Sequence, residues 1–206
     1  KGACQKDGAC QKEGKGADRN IPVAAINGIR LVRPNPEAGE KHQKLLDDCL
    51  NTLWGFYTQK LGQTDQQRQA HVPPAVARLL GRGGDKDGKY KDRFAGELAG
   101  KFGKRNVNVY QSCALALGAL CQPQEDNKAD KKYSDALVKY FNSGKDEQSR
   151  YFSLMALGKI GGNKNRTDLM KIFDKGSKAL VKPWAAVSLG VVASNAAEAA
   201  GQGATP

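Results

Sequence analysis

From about Glu40 the apolar positions fall at three- and four-residue steps: Leu45, Leu46, Cys49, Leu50, Leu53, Trp54 and Tyr57. That spacing puts them on one face of an amphipathic helix, which the sequence ends near Gly62. Pro73 and Pro74 suit the first turn of a helix over 73–80, closed around Gly81. The helical period returns over 91–102, 107–120, 130–141, 147–160, 167–173 and 178–193. Thr167 is the expected N-cap of one of these helices, and Asp130 or Ser134 of another. Upstream, Val23-Ala24-Ala25-Ile26 and Ile29-Arg30-Leu31-Val32 flank Asn27-Gly28, the dipeptide that best supports a type I′ turn, so a small β-hairpin is expected there. Residues 1–20, rich in Gly and Lys, read as a flexible tail. The stretch 195–206, rich in Ala and Gly, reads as a frayed end.

Self-similarity organises the second half. Cys113-Ala114-Leu115-Ala116-Leu117-Gly118, Ser153-Leu154-Met155-Ala156-Leu157-Gly158 and Ala185-Ala186-Val187-Ser188-Leu189-Gly190 align without gaps. Each ends in a small residue followed by Leu-Gly. A second signature, Leu-x-x-x-Phe, precedes each copy at Leu98 to Phe102, Leu137 to Phe141 and Leu169 to Phe173, at a nearly constant offset. Each unit is therefore helix, short polar loop, helix. Such a unit cannot bury its apolar stripe alone, so neighbouring copies are expected to stack around one continuous core. Small residues at Ala114, Ala116, Ala156, Ala185, Ala186 and Ser188 would let helices of adjacent layers approach closely. Glycine in a helix costs about 1 kcal/mol against alanine, so the repeated Gly needs a reason of its own.

These residues resemble HEAT-like repeats of the short bacterial kind, also found in phycobilin lyases, whose second helix reads approximately Asp-x-x-Val-Arg-x-x-Ala-Ala-x-Ala-Leu-Gly. The middle copy follows that pattern with Asp146, Arg150, Ala156, Leu157 and Gly158. The flanking copies carry Asn106 with Tyr110, and Lys178 with Lys182, where the family has its Asp and Arg, so the family's interlayer Asp–Arg ladder is expected to be incomplete. The resemblance covers residues 91–194, with 73–81 as a degenerate further copy and 21–90 as a hairpin plus helices. It implies an all-α fold, an α–α superhelix in the form of a short HEAT-like solenoid, and a bacterial source.

Composition agrees with a core of small side chains: of 206 residues only 7% are aromatic and 39% hydrophobic, and 24 are Gly. The net charge of +12 favours acidic partners but is spread as +2 over residues 1–20, +6 over 21–110 and +4 over 111–206, so no segment is a concentrated basic arm. Lys139, Lys145, Arg150, Lys159, Lys164, Arg166, Lys171, Lys175, Lys178 and Lys182 recur through the repeats, and stacking could gather them into one stripe. No apolar run approaches a membrane span, and a soluble protein is expected. A chain opening on Lys1 is expected to be a processed product or a fragment, with any export signal outside the sequence and the compartment open.

Five cysteines close no disulfide framework. Cys4 and Cys10 belong to a duplicated hexapeptide whose spacing matches neither a zinc knuckle nor a redox pair. Cys49, Cys113 and Cys121 sit among apolar residues as packing groups. Residues 83–89 read G-x-x-x-x-G-K, but Tyr90 stands where a phosphate-binding loop needs Ser or Thr, and Asp85 and Asp87 would repel a phosphate. Asp85, Asp87 and Asp92 form only a fragment of a calcium loop, so a solvated charged loop is expected. His42 and His71 stand apart from any paired ligand. The glycosylation sequon at Asn165 is formal only.

No catalytic residues, metal site or cofactor are expected. The chain reads as a non-enzymatic interaction module holding another protein in a concave face, an acidic partner being favoured by the net charge. The candidate contacts are Tyr110, Gln111, Arg150, Tyr151, Lys182 and Trp184, because aromatic and Arg side chains carry most interface energy. Tyr151 and Trp184 equally suit packing between layers. The alternative is nucleic-acid binding through a basic face. An enzymatic role of the lyase kind would need a pocket with convergent polar groups, which the sequence does not display.

Overall fold

A computed structural model describes residues 20–33, 35, 37–123 and 128–202. The duplicated Cys4/Cys10 segment lies outside them. Among the described residues the chain is all-helical, with α1 (Asn20–Ile29), α2 (Gly39–Thr58), α3 (Gln63–Gln69), α4 (Val72–Leu80), α5 (Lys89–Leu98), α6 (Val107–Leu120), α7 (Lys128–Ser143), α8 (Glu147–Ile160), α9 (Gly162–Lys175) and α10 (Val181–Gln202).

The expected N-terminal hairpin is corrected by α1. Asn27-Gly28 makes no type I′ turn, which needs positive φ at both positions, and Gly28 is not among the positive-φ glycines. A lone two-stranded hairpin is marginal in water. The helix instead buries Ile26 and lays Ile29, one turn on, against the core beside α4. Of the stretch expected to fray, residues 195–202 continue α10, and Asn195 Nδ2 donates to the Gly158 and Lys159 carbonyls.

Helix ends moved for local reasons. Expected to reach Phe102, α5 stops at Leu98, and Gly100 and Gly103 take φ 73° and 84° beyond it. Phe102 is thus 45% exposed, its ring lying 3.6 Å from the Arg93 guanidinium carbon. Rather than starting near Thr167, α9 starts at Gly162, the second of a glycine pair at φ 74° and 85°. Thr167 is not an N-cap; it sits mid-helix, its Oγ1 donating to the Asn163 carbonyl at 2.9 Å. The short α3 has no apolar period at all. Its buried Gln69 holds it in place, donating from Nε2 to the Phe56 and Gln59 carbonyls at 2.7 and 3.0 Å, at the end of α2.

Helices α4, α6, α8 and α10 pack on one another in sequence, while α5, α7 and α9 each lie against their following partner. The repeated Gly is explained where these helices touch. A Cβ added at Gly118 would stand 2.9 Å from the Ala156 Cα, and one at Gly158 would stand 2.6 Å from the Ser188 carbonyl oxygen. Ala156 and Ser188 are equivalent positions of consecutive copies, so the same small-on-small register recurs. At Gly190 in α10 a Cβ would meet nothing. Leu117, Leu154, Leu157, Ile160, Leu137 and Leu169 fill the space between these close approaches. Aromatic side chains concentrate at the α2–α5 junction, where Trp54 meets Tyr90 edge-on at 4.7 Å and Tyr57 meets Phe94 at 5.8 Å.

Candidate functional site

The turns joining α5 to α6, α7 to α8 and α9 to α10 share one edge, and two clefts open between them. The first, of about 830 Å³, lies between the α5–α6 turn and the α7–α8 turn, with Leu98, Val107, Tyr110, Ala136 and Tyr140 among its walls and Lys104, Lys139 and Lys145 among its cations. The second, of about 310 Å³, lies one layer on and is lined by Phe141, Asn142, Arg150, Lys171, Ile172, Lys175, Gly176, Ser177, Lys178 and Val181.

Behind the first cleft stands a charged cluster that the sequence did not reveal. Glu97, with 0% exposure, receives at Oε1 the Arg93 Nε and Nη2 at 3.1 and 3.0 Å. The same oxygen receives Arg105 Nη1 at 3.3 Å and the Tyr57 hydroxyl at 3.4 Å. Arg105 Nη2 donates to Gln69 Oε1 at 2.9 Å, tying α3 to the α5–α6 turn. A buried carboxylate is tolerated only with such partners; Glu97 and Arg105 both belong to the lining of the cleft, and Glu97 Oε2 and Arg105 Nε have no hydrogen-bond partner among the described residues. The Tyr57 hydroxyl also lies 3.2 Å from the Cys113 Sγ. Burial, reinforced by Cys113 and Glu97, pushes the Tyr57 phenol far above its ordinary range. Tyr110 accepts the Arg105 N–H at 2.9 Å and packs on Tyr140, ring centroids 6.0 Å apart. Burial pushes the Tyr140 phenol up to about 12.

The first two of these turns end in a helix cap. Asn106 Oδ1 accepts the Asn108 N–H at 3.0 Å, and Asp146 Oδ2 accepts both the N–H and the hydroxyl of Ser149 at 2.6 Å. Asp146 forms no ion pair with Arg150. Instead Arg150 donates through Nε to the Phe141 carbonyl, with its guanidinium carbon 5.3 Å from the Phe141 ring.

Of the six residues expected to contact a partner, Tyr110 lines the first cleft and Arg150 the second. Tyr151 and Trp184 stack on one another between α8 and α10, centroids 5.7 Å apart and 9° from parallel. The Tyr151 hydroxyl donates to Glu147 Oε1 at 2.8 Å. Gln111 is half-buried along α6, and Lys182 is exposed with its Nζ 5.9 Å from the Phe173 ring. The six do not converge. The basic stripe divides as well: Lys164 is held by Asp135 and Asp168 at 3.0 and 2.9 Å, while Lys139, Lys145, Lys171, Lys175 and Lys178 reach the clefts. Lys104 joins them, without a repeat signature to mark it.

The loop 81–88 holds helices together and is not a solvated loop throughout. Asp85 is 4% exposed, and its Oδ2 accepts the Tyr90 and Lys91 N–H groups at 3.1 and 2.8 Å, capping α5. Lys91 Nζ reaches Asp130 at 2.7 Å, both nearly buried, and Asp130 Oδ2 accepts the Gln122 N–H at 2.9 Å. Asp130 therefore joins α5 to α7. Arg82 donates to the Lys159 and Ile160 carbonyls at 2.7 and 3.1 Å, closing the end of α8. Asn165 of the sequon is buried, its Nδ2 donating to the Gly161 carbonyl at 3.0 Å. Among the described residues no group of three His, Cys, Asp or Glu side chains is placed to hold a metal ion. No helix there is long and apolar enough to cross a membrane.

In comparisons with protein families, curated proteins and solved structures, no match to this chain is found.

Proposed function

We propose that the chain is a non-enzymatic protein–protein interaction scaffold built from HEAT-like helical repeats. The observation that carries this reading is the recurring register of the second helices, Gly118 on Ala156 and Gly158 on Ser188. Units held by the same contact at the same position stack as a repeat array, and such arrays present extended surfaces formed by successive units. The two clefts on the turn edge follow from that stacking, since each lies between two consecutive turns. The larger cleft is walled chiefly by apolar side chains and cations, Leu98, Val107, Tyr110, Ala136, Lys104, Lys139 and Lys145 among them, a lining that suits the docking of another protein.

A second reading, nucleic-acid binding, draws support from the cations of this edge. Lys104, Lys139, Lys145 and Lys175 form no ion pair among the described residues. Cross-linking in an extract of the native source, with and without nuclease, separates the two. The scaffold reading expects the same cross-linked protein in both arms. Loss of every partner after nuclease favours the second reading, as does an affinity for arbitrary duplexes that falls steeply with salt through counterion release.

A further inference from the structure

We infer that the second cleft docks an acidic segment of a partner protein, with Arg150 receiving a carboxylate and Lys171, Lys175 and Lys178 surrounding it. The inference rests on the scaffold reading and names the chemistry of its partner.

Four cations line this cleft and no carboxylate does. The nearby acids hold the cleft lysines only at long range and have closer partners elsewhere: Glu147 lies 3.5 Å from Lys178 but takes the Tyr151 hydroxyl at 2.8 Å, and Asp168 lies 3.8 Å from Lys171 but takes Lys164 at 2.9 Å. Lys175 has no acidic partner among the described residues. Like charges gathered in a concavity raise the local potential and select the opposite sign.

Arg150 gives the cleft its geometry. It is half-buried, its Nε donates to the Phe141 carbonyl, and its guanidinium carbon lies 5.3 Å from the Phe141 ring. Its two terminal nitrogens donate to no group among the described residues. A guanidinium held through Nε, with its far edge free, is prepared for a planar two-oxygen acceptor. Asp146, four residues before Arg150, uses Oδ2 to cap α8 and forms no ion pair with Arg150, so the guanidinium's far edge is open to an acceptor from a partner.

The shape favours a protein segment over a duplex. Phe141, Ile172 and Val181 give the cleft apolar walls, and a space of about 310 Å³ admits a side chain. A duplex presents its phosphates on a convex surface and needs protruding cations, whereas Arg150 is half-buried in a recess. Lys139 and Lys145 of the first cleft extend the same sign along the edge, so an extended segment with several acids can follow it.

The test uses the full chain and a fluorescein-labelled peptide, Gly-Ser-Glu-Glu-Phe-Glu-Glu-Ser-Gly, followed by anisotropy at fixed salt. The double reversal Lys175→Glu/Lys178→Glu is expected to weaken binding about ten-fold or more, and Arg150→Lys about three- to ten-fold, since charge is kept but the two-point contact is lost. Lys41→Glu/Lys44→Glu carries the same charge change to exposed positions on α2 and is expected to stay within about two-fold. The peptide with every Glu replaced by Gln is expected not to bind. Helical circular dichroism verifies the fold of each variant.

Equal weakening by the two double reversals overturns the inference, because it reports net charge rather than the cleft. Failure of wild type to bind the acidic peptide also overturns it, as does a duplex that displaces the peptide and outcompetes it. When the cleft assignment fails but a nuclease-resistant protein partner persists in the cross-linking experiment, the scaffold reading stands alone. When that partner is lost too, both fall.

Discussion

At the scale of single residues, three glycines at one repeat position have opposite roles. Gly118 and Gly158 exist for close approach, whereas Gly190 faces open space. Alanine normally gains about 1 kcal/mol over glycine in a helix interior. Gly158→Ala and Gly118→Ala are nonetheless expected to lower stability by about 1–3 kcal/mol, because the new methyl collides with the next helix. Gly190→Ala is expected to raise it by about 0.5–1 kcal/mol. Urea midpoints of the three variants decide the point, and three shifts of the same sign would refute the contact.

Buried thiols add a pH signature. Burial pushes the Cys113 and Cys121 thiols well above their ordinary 9.0, despite the lowering effect of the Tyr57 hydroxyl on Cys113. Stability is thus whole below about pH 9 and falls as pH rises past it, since the unfolded chain releases protons that the folded chain retains. Cys113→Ala should flatten that decline in urea midpoints taken between about pH 8 and pH 10. In mass-resolved alkylation, Cys113 and Cys121 should react only on unfolding, and the half-buried Cys49 earlier.

At the scale of elements, the helix ends are where local sequence and packing part company. The apolar periods marked α2, α4, α6, α7 and α8 closely, because each presents a continuous face to the core, and all but α2 carry a Pro, Asn or Asp start signal or a Gly stop. The period failed for α3, whose stabilising contacts are amides reaching the carbonyls of α2 rather than apolar side chains. It also failed for α1, where a local turn preference lost to burial of Ile26. The loop 81–88 is the sharpest case, its Gly and Asp residues imitating ligand motifs while serving as a cap. Asp85→Ala removes the acceptor of two N–H groups and is expected to cost about 1–2 kcal/mol in denaturation, with neither calcium nor ATP raising the melting temperature of wild type. Arg82→Ala should cost about 1.5–3 kcal/mol by releasing two carbonyls at the end of α8. Exchange of the α8 C-terminal amides should then accelerate.

At the scale of the whole molecule, helices with neighbours on both sides differ from those at the ends of the row. Amide exchange should be slowest in α6 and α8, which lie between α4 and α10, and fastest in α1 and the last turns of α10. Uniform protection along the row would contradict a stack stabilised between neighbouring units.

By itself the sequence determined the all-helical class, the positions of most helices and the need for close packing. These follow from spacing along one chain: a 3.6-residue period names a face, and small residues recurring in register announce an approach. The candidate edge was legible only in part. Arg150 and five of the cleft lysines were noticed as residues, but Glu97, Arg105 and Gln69 carried no signal, because a buried ion pair is written in separated segments. Only the tertiary structure decided which cations face one cleft, which were already neutralised by Asp135 or Asp168, and that Tyr151 and Trp184 spend their surfaces on each other. Those outcomes depend on distances across layers, which no local pattern encodes.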